Sequence, residues 1–183
     1  MRDGKRMDVI GLLGPLRRYA RSLTRDETQA EDLVQDTLVR AYERRGTFRP
    51  GGNLRGWLLS ILHNTFIDER RRHAAESRRA QDLAEQSEAS APADQESRVR
   101  LRQVQQAFMS LPGEQRAVLH LVAIEGLSYQ EAAATLDIPI GTLMSRLGRA
   151  RAALRAFENG QDVPQSALGK PRPNLRIIGG SRE

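Results

Sequence analysis

The chain has 183 residues, no cysteine, 39% hydrophobic and only 4% aromatic residues, and 29 Lys+Arg against 23 Asp+Glu. That length admits one ordinary domain or two small ones, and the missing cysteines exclude a disulfide framework, a thiol nucleophile and any Cys-based zinc or iron–sulfur site. A net charge of +6 points to a polyanionic partner, and apolar runs such as Val9–Leu13 and Leu58–Leu62 fall far short of the ~20 residues a membrane span needs.

The basic N-terminus (Arg2, Lys5, Arg6) is interrupted by Asp3 and Asp8, with neither a long apolar stretch nor a small-residue cleavage site after it. No targeting signal is read there, and a cytoplasmic protein is expected. A short helix is predicted over 9–22. Ala30, Leu33, Val34, Thr37, Leu38, Ala41 and Tyr42 follow i, i+3, i+4 spacing, which predicts an amphipathic helix over 27–45. Gly46–Asn53 reads as a loop, with Asn53 as N-cap after the Pro50–Gly51–Gly52 turn. Leu54, Trp57, Leu58, Ile61, Leu62, Thr65 and Phe66 then mark a helix over 54–72 that closes on Arg70, Arg71 and Arg72.

Residues 74–97 are dominated by Ala, Glu, Ser and Gln, with Leu83 as the only large apolar side chain. Such a segment buries too little to offset its ordering entropy and reads as a linker, helical at most at its start. Beyond it, Leu101, Val104, Phe108 and Leu111 form a stripe limited by Pro112, and Ala117, Val118, Leu121 and Val122 form another, stopped by Gly126. Ser128 with Glu131 matches a capping box opening a third helix. Asp137-Ile-Pro139 interrupts it, and a fourth helix runs over 140–157. The tail from Asn159 is Gly- and Pro-punctuated without periodicity and reads as disordered.

The expected fold class is therefore all-α: two small helical domains, 1–73 and 99–157, joined by an acidic flexible linker, 74–98, with a tail over 158–183. Their net charges are +5, +3, −3 and +1 respectively. The second domain contains a helix-turn-helix. On its last helix, Leu143, Leu147, Ala150 and Leu154 cluster within about 60° of arc. Thr142, Ser145, Gly148 and Arg149 lie roughly opposite, with Arg146 at the boundary. This face offers two hydroxyls for phosphates, an Arg able to bond guanine bidentately and a Gly that permits close approach. No Asp or Glu occurs over 138–157, as a phosphate-facing helix requires.

Two stretches carry a family pattern. LPGEQRAVLHLVAIEGLSYQEAAATLDIPIGTLMSRLGRARAAL (111–154) resembles region 4 of extracytoplasmic-function sigma factors of the sigma-70 family, in Glu-Gly-Leu-Ser-Tyr and Pro-x-Gly-Thr-x-x-Ser-Arg-Leu-x-Arg-Ala-Arg. EDLVQDTLVRAYERRGTFRPGGNLRGWLLSILHNTFIDERRR (31–72) resembles region 2 of the same family. The resemblance implies a transcription initiation factor, not an enzyme, that borrows its chemistry from core RNA polymerase. It puts Asp32, Gln35 and Asp36 at the contact with the polymerase. It makes the loop before 54 a pocket for a flipped base of the promoter minus-ten element and the 54–72 helix the lining for the separated strand, with Phe48, Arg49, Arg55, Asn64 and Arg71 as the contacting residues. Thr142, Met144, Ser145, Arg146, Gly148 and Arg149 would read the minus-thirty-five duplex, Met144 and Gly148 departing from the polar, basic or large side chains common there. An anti-sigma factor is implied as a further partner. The acidic linker suggests a strand that occupies a cationic RNA path in the polymerase, against the reading of a solvated spacer.

Other chemistry finds no support. His63, His73 and His120 are the only histidines and lack a metal-ligand spacing, and His63 and His120 read as ordinary helix residues. No metal, no cofactor and no catalytic residue is expected. Trp57 reads as core. The rival readings are a free-standing helix-turn-helix regulator that binds duplex DNA without polymerase, and a helical adaptor that binds only protein.

Overall fold

The computed structural model describes residues 9–77 and 96–159, and these are helical throughout apart from turns. A 3₁₀ turn, Ile10–Leu12, leads into α1 (Leu13–Thr24), followed by α2 (Glu27–Glu43), a second 3₁₀ turn (Arg45–Thr47) and α3 (Leu54–Ser77). After α4 (Glu96–Ser110) come α5 (Gly113–Leu119), a π-helical turn (His120–Ile124), α6 (Tyr129–Thr135) and α7 (Ile140–Glu158). Among the described residues there is no strand. The expected linker and tail fall mostly on 78–95 and 160–183, outside the described residues. α3 runs on to Ser77, past the boundary expected at 73.

Local chemistry explains the helix ends. Asp26 caps α2 by accepting from the Gln29 N–H at 2.7 Å. Asn53 Oδ1 accepts from the Gly56 N–H at 3.0 Å and so opens α3 as expected. Ser128 and Glu131 complete the reciprocal capping box of α6. Before α3 the chain turns at Gly52, whose missing Cβ would stand 3.0 Å from the Arg49 carbonyl oxygen, so any other residue would displace the turn.

In the first half, Leu16, Tyr19 and Leu23 of α1 meet Leu33, Val34 and Thr37 of α2 and Leu58, Leu62 and Thr65 of α3, all buried. In the second half, Val118 and Leu121 pack with Ala132, Leu136, Leu143, Leu147 and Ala150. The two helical domains do not stand apart: α1 packs on α5 and α3 packs on α6, and the buried apolar side chains form one continuous cluster. Leu59 lies off the predicted stripe of α3 yet is fully buried, because that helix is covered from two sides, by α1 and α2 and by α6.

Candidate nucleic-acid interface

The helix-turn-helix is α6, a turn through Asp137 in the left-handed conformation (φ 51°), and α7. Leu143, Leu147 and Ala150 bury one side of α7. Met144, Ser145 and Gly148 are exposed on the other, and Thr142 and Arg149 are half-buried at its edges. The Arg149 Nε–H reaches only the Ser145 carbonyl, at 3.4 Å, so its guanidinium can turn outward. Arg146 behaves differently: it is bound to Glu114 at 2.7 Å and faces α3 rather than the outer side. A Cβ at Gly148 would meet no atom within 4 Å. Gly148→Ala is therefore expected to stabilise the chain by about 0.5–1 kcal/mol, measured as a raised urea midpoint with unchanged slope.

The first-half residues lie along α3. Phe48 packs against Trp57 with ring centroids 5.3 Å apart, which places Trp57 partly in the core and holds the loop; Arg49 beside it is exposed. Asn64 near the middle of α3 and Arg71 toward its end share a face, about 10 Å apart at 1.5 Å per residue, whereas Arg55 in the first turn lies on the opposite side of the helix. Asn64 and Arg71 are exposed and line a cavity of about 600 Å³. Its opposite wall is the second half: Gly113, Glu114, Arg116, Asp137, Ile138 and Arg146. On α2, Asp32, Gln35 and Asp36 are exposed; Asp32 and Asp36 line a groove toward α3, where burial and the nearby Asp36 raise the Glu69 carboxyl above its usual range.

Arg55, expected to face nucleic acid, is committed here to a carboxylate. Glu125 has no exposed side-chain surface and binds both Arg55 and Arg18, the latter at 3.1 Å, while His120 Nε2 stands 3.3 Å from the same carboxylate. The π-helical turn makes this possible: the Glu125 N–H bonds back five residues to the His120 carbonyl, and the widened turn brings the two side chains together. Asn53 donates to Glu131 at 2.8 Å, and that bond, with those from Ser128, lowers the Glu131 carboxyl pKa.

His63 and His120 lie in helical segments, as read from the sequence, and each meets Tyr19. His63 Nδ1 stands 3.0 Å from the Tyr19 hydroxyl and His120 is buried against the Tyr19 ring, 5.1 Å between centroids. Burial pushes each down to about 4, helped for His63 by Arg146 and for His120 by Arg18 and Arg55. Burial raises the Tyr19 hydroxyl well above its ordinary value. At neutral pH both imidazoles are uncharged, and Nε2–H of His120 donates to Glu125. Among the described residues no group of three His, Asp or Glu is placed to hold a metal, and no helix is long and apolar enough to cross a membrane.

Sequence reasoning missed Arg18, Arg116, His120 and Glu125. A signal existed for Glu125: it continues the Leu121 stripe at i+4, a charge on an apolar face that had to find a partner.

Comparison with known proteins agrees with this architecture. Residues 11–76 match the Sigma-70 region 2 family and residues 101–154 match Sigma-70, region 4. The chain is 37% identical over 155 residues, 85% of each chain, to the ECF RNA polymerase sigma factor EcfG of Rhodopseudomonas palustris. It is similar in structure to the sigma factor RpoE of Bartonella quintana, solved with the anti-sigma factor NepR (TM-score 0.73, 36% identity, covering 82% of this chain and 94% of that one). It is also similar to CnrH, solved with the cytosolic domain of CnrY (TM-score 0.59, 32% identity, covering 84% and 86%).

Proposed function

The chain belongs to the extracytoplasmic-function sigma factors of the sigma-70 family, and on that premise we propose that it directs core RNA polymerase to promoters by holding the minus-thirty-five duplex with α7 and the separated minus-ten strand with α3 and its preceding loop. The observation that carries this reading is the outer face of α7: a helix without a carboxylate over 138–157, apolar side buried, presenting Met144, Ser145, Gly148 and Arg149. A helix lacking carboxylates can enter a groove lined by phosphates, and an unpaired guanidinium at its edge can reach a base edge.

On this reading the residues divide by task. Thr142 and Ser145 hydroxyls position the helix on phosphates and Arg149 reads a base. Phe48, Arg49, Arg55, Asn64 and Arg71 supply an aromatic ring, cations and an amide on the loop and on α3, the combination that single strands need. The exposed Asp32, Gln35 and Asp36 on α2 contact the polymerase. The chain contributes no reaction chemistry; the polymerase does. Unstacking a base costs a few kcal/mol, which two modest sites supply when joined at high effective concentration. The relatives solved with NepR and CnrY support an anti-sigma factor as a further partner.

The test is promoter-specific run-off transcription with the full chain and core polymerase on genomic fragments. Initiation at discrete start sites is expected only when the chain is added. Tight duplex binding without polymerase and no initiation would establish the free-standing regulator instead. Within the assay, Arg149→Ala is expected to weaken recognition by about 1–3 kcal/mol, roughly 5- to 150-fold, and to relax base choice at one position. An equal loss on every sequence would demote it to a phosphate contact.

A further inference from the structure

Two large apolar side chains stand in solvent on the outer side of α7. Ile140 and Met144 are 45% and 55% exposed, and neither joins the buried apolar cluster. Spaced i, i+4, they share one edge of the helix and lie about 6 Å apart along its axis. α7 packs on α4, α5 and α6 through its other side, where Leu143, Leu147 and Ala150 are buried. The fold makes no use of the exposed pair, and Ile140 is not among the contacts that the family resemblance implies.

The rest of this face fits a duplex better than an apolar protein partner. Gly141 and Gly148 lie within about 20° of each other at 100° per residue, and a Cβ at either would meet no atom within 4 Å. With Ser145 beside them, they keep the middle of the face free of long side chains, so the helix backbone can come close to what it meets. Ile140 and Met144 border this shallow strip on one edge, with the exposed Arg151 two turns beyond Met144, and Thr142 and Arg149 border it on the other. Cations on both edges and the absence of a carboxylate over 138–157 match a groove walled by two phosphate backbones.

In the major groove the base edges present donors and acceptors, and their apolar feature is the C5-methyl group of thymine. An apolar side chain set against guanine or adenine strips water from the base acceptors and returns no hydrogen bond. Against thymine it buries a methyl group. We propose that Ile140 and Met144 read thymine methyls in the minus-thirty-five duplex, Met144 as the main contact and Ile140 on the neighbouring base pair. Their separation of about 6 Å spans between one and two base steps of about 3.4 Å, and the first turns of a recognition helix are the ones that reach base edges. The inference rests on the reading of α7 as the duplex-binding helix and adds the base that one of its edges selects. Arg149, on the opposite edge, keeps its separate base contact.

The test uses the full chain with core polymerase on a promoter fragment recovered by run-off transcription. Each thymine of the upstream duplex block, on either strand, is replaced in turn by deoxyuridine, which removes the methyl group and keeps the O4 acceptor. Holoenzyme binding is measured by competition against the unmodified fragment. Uracil is expected to weaken binding at two adjacent base pairs, by about fourfold at the main contact, the cost of leaving one methyl group unburied. In Met144→Ala the effect at that thymine is expected to shrink to about 1.5-fold or less, and Ile140→Ala removes the smaller effect at its neighbour. Met144→Gln, which keeps the side-chain length and the helix preference, is expected to lose discrimination as Met144→Ala does. Leu101→Ala, which truncates a side chain 68% exposed on α4, keeps both effects. An upstream block without thymine, a flat uracil scan, or a uracil effect of the same size in both Met144 variants overturns the proposal. Absence of any discrete start site overturns the sigma-factor reading and the proposal with it, whereas discrete start sites with a flat scan leave that reading intact.

Discussion

Arg116→Ala is expected to lower the unfolding free energy by about 3–5 kcal/mol, the largest effect of any single substitution proposed for this chain. Arg116 is 4% exposed and has carbonyl oxygens as its acceptors. Its guanidinium donates to Ser22 and Leu23 in the last turn of α1, and to Met109, in the last turn of α4, and Leu111 at 3.1 and 2.7 Å. Those are the groups a helix cannot satisfy by itself, and the C-terminal ends carry the negative pole of the helix dipole. One cation therefore closes two helix ends, one from each half. Burial, with Arg25 and Arg70 nearby, pushes its pKa down to about 10, which leaves it charged at neutral pH. Alanine would leave the Ser22, Leu23 and Met109 carbonyls without their donor, the Leu111 carbonyl keeping only the Arg25 guanidinium at 3.4 Å, and a void between α1 and α5. Urea unfolding measures the loss, and Arg116→Met separates the packing share from the hydrogen bonds. A loss under about 1 kcal/mol would mean that water reaches those carbonyls.

Acidification from pH 7 to 4 is expected to remove about 3 kcal/mol of stability for each of His63 and His120. The sign follows from the direction of the shifts. An unfolded imidazole titrates near 6.5, and in the folded chain both are held down to about 4. Above pH 6.5 neither state is protonated and the histidines contribute no pH dependence. Between 6.5 and 4 the unfolded chain binds protons that the native chain refuses, so stability falls as pH falls, by about 1.4 kcal/mol per unit for each histidine. Below 4 their contribution levels off. Urea midpoints across this window measure the slope, and His120→Gln is expected to reduce it, so that the variant's deficit relative to the unmodified chain is largest at pH 7 and shrinks at pH 5. Parallel profiles for the variant and the unmodified chain would assign the acid sensitivity to other groups.

The two expectations meet at one place. Arg116 ties the end of α1 to α5, and His120 and Glu125, one and two turns further on, face Tyr19, Arg18 and Arg55. The docking of the second half on the first is thus polar along its buried seam, with apolar packing on either side. A seam of this kind fixes one relative placement of the halves, since a shifted register would leave Glu125 and Arg116 buried without partners.

Much of this molecule was legible from residues near one another in the chain. The i, i+3, i+4 stripes located α2, α3 and α7, and Asn53, Ser128 with Glu131, and Pro139 marked helix starts, because periodicity and capping are local properties that a helix imposes over one or two turns. The same locality separated the buried side of α7 from Met144, Ser145 and Gly148, and identified the exposed Asn64 and Arg71 on α3. What the tertiary structure alone decided is the pairing of charges across long separations: Glu125 with Arg18, 107 residues away, and with Arg55, 70 away. It also decided that His63 is half-buried and His120 buried, both neutral, that Arg146 turns to Glu114, and that Arg55 is occupied by a carboxylate. No local rule specifies such partners, because a charge read in isolation favours water; only when distant helices close over it does burial make a particular opposite group necessary.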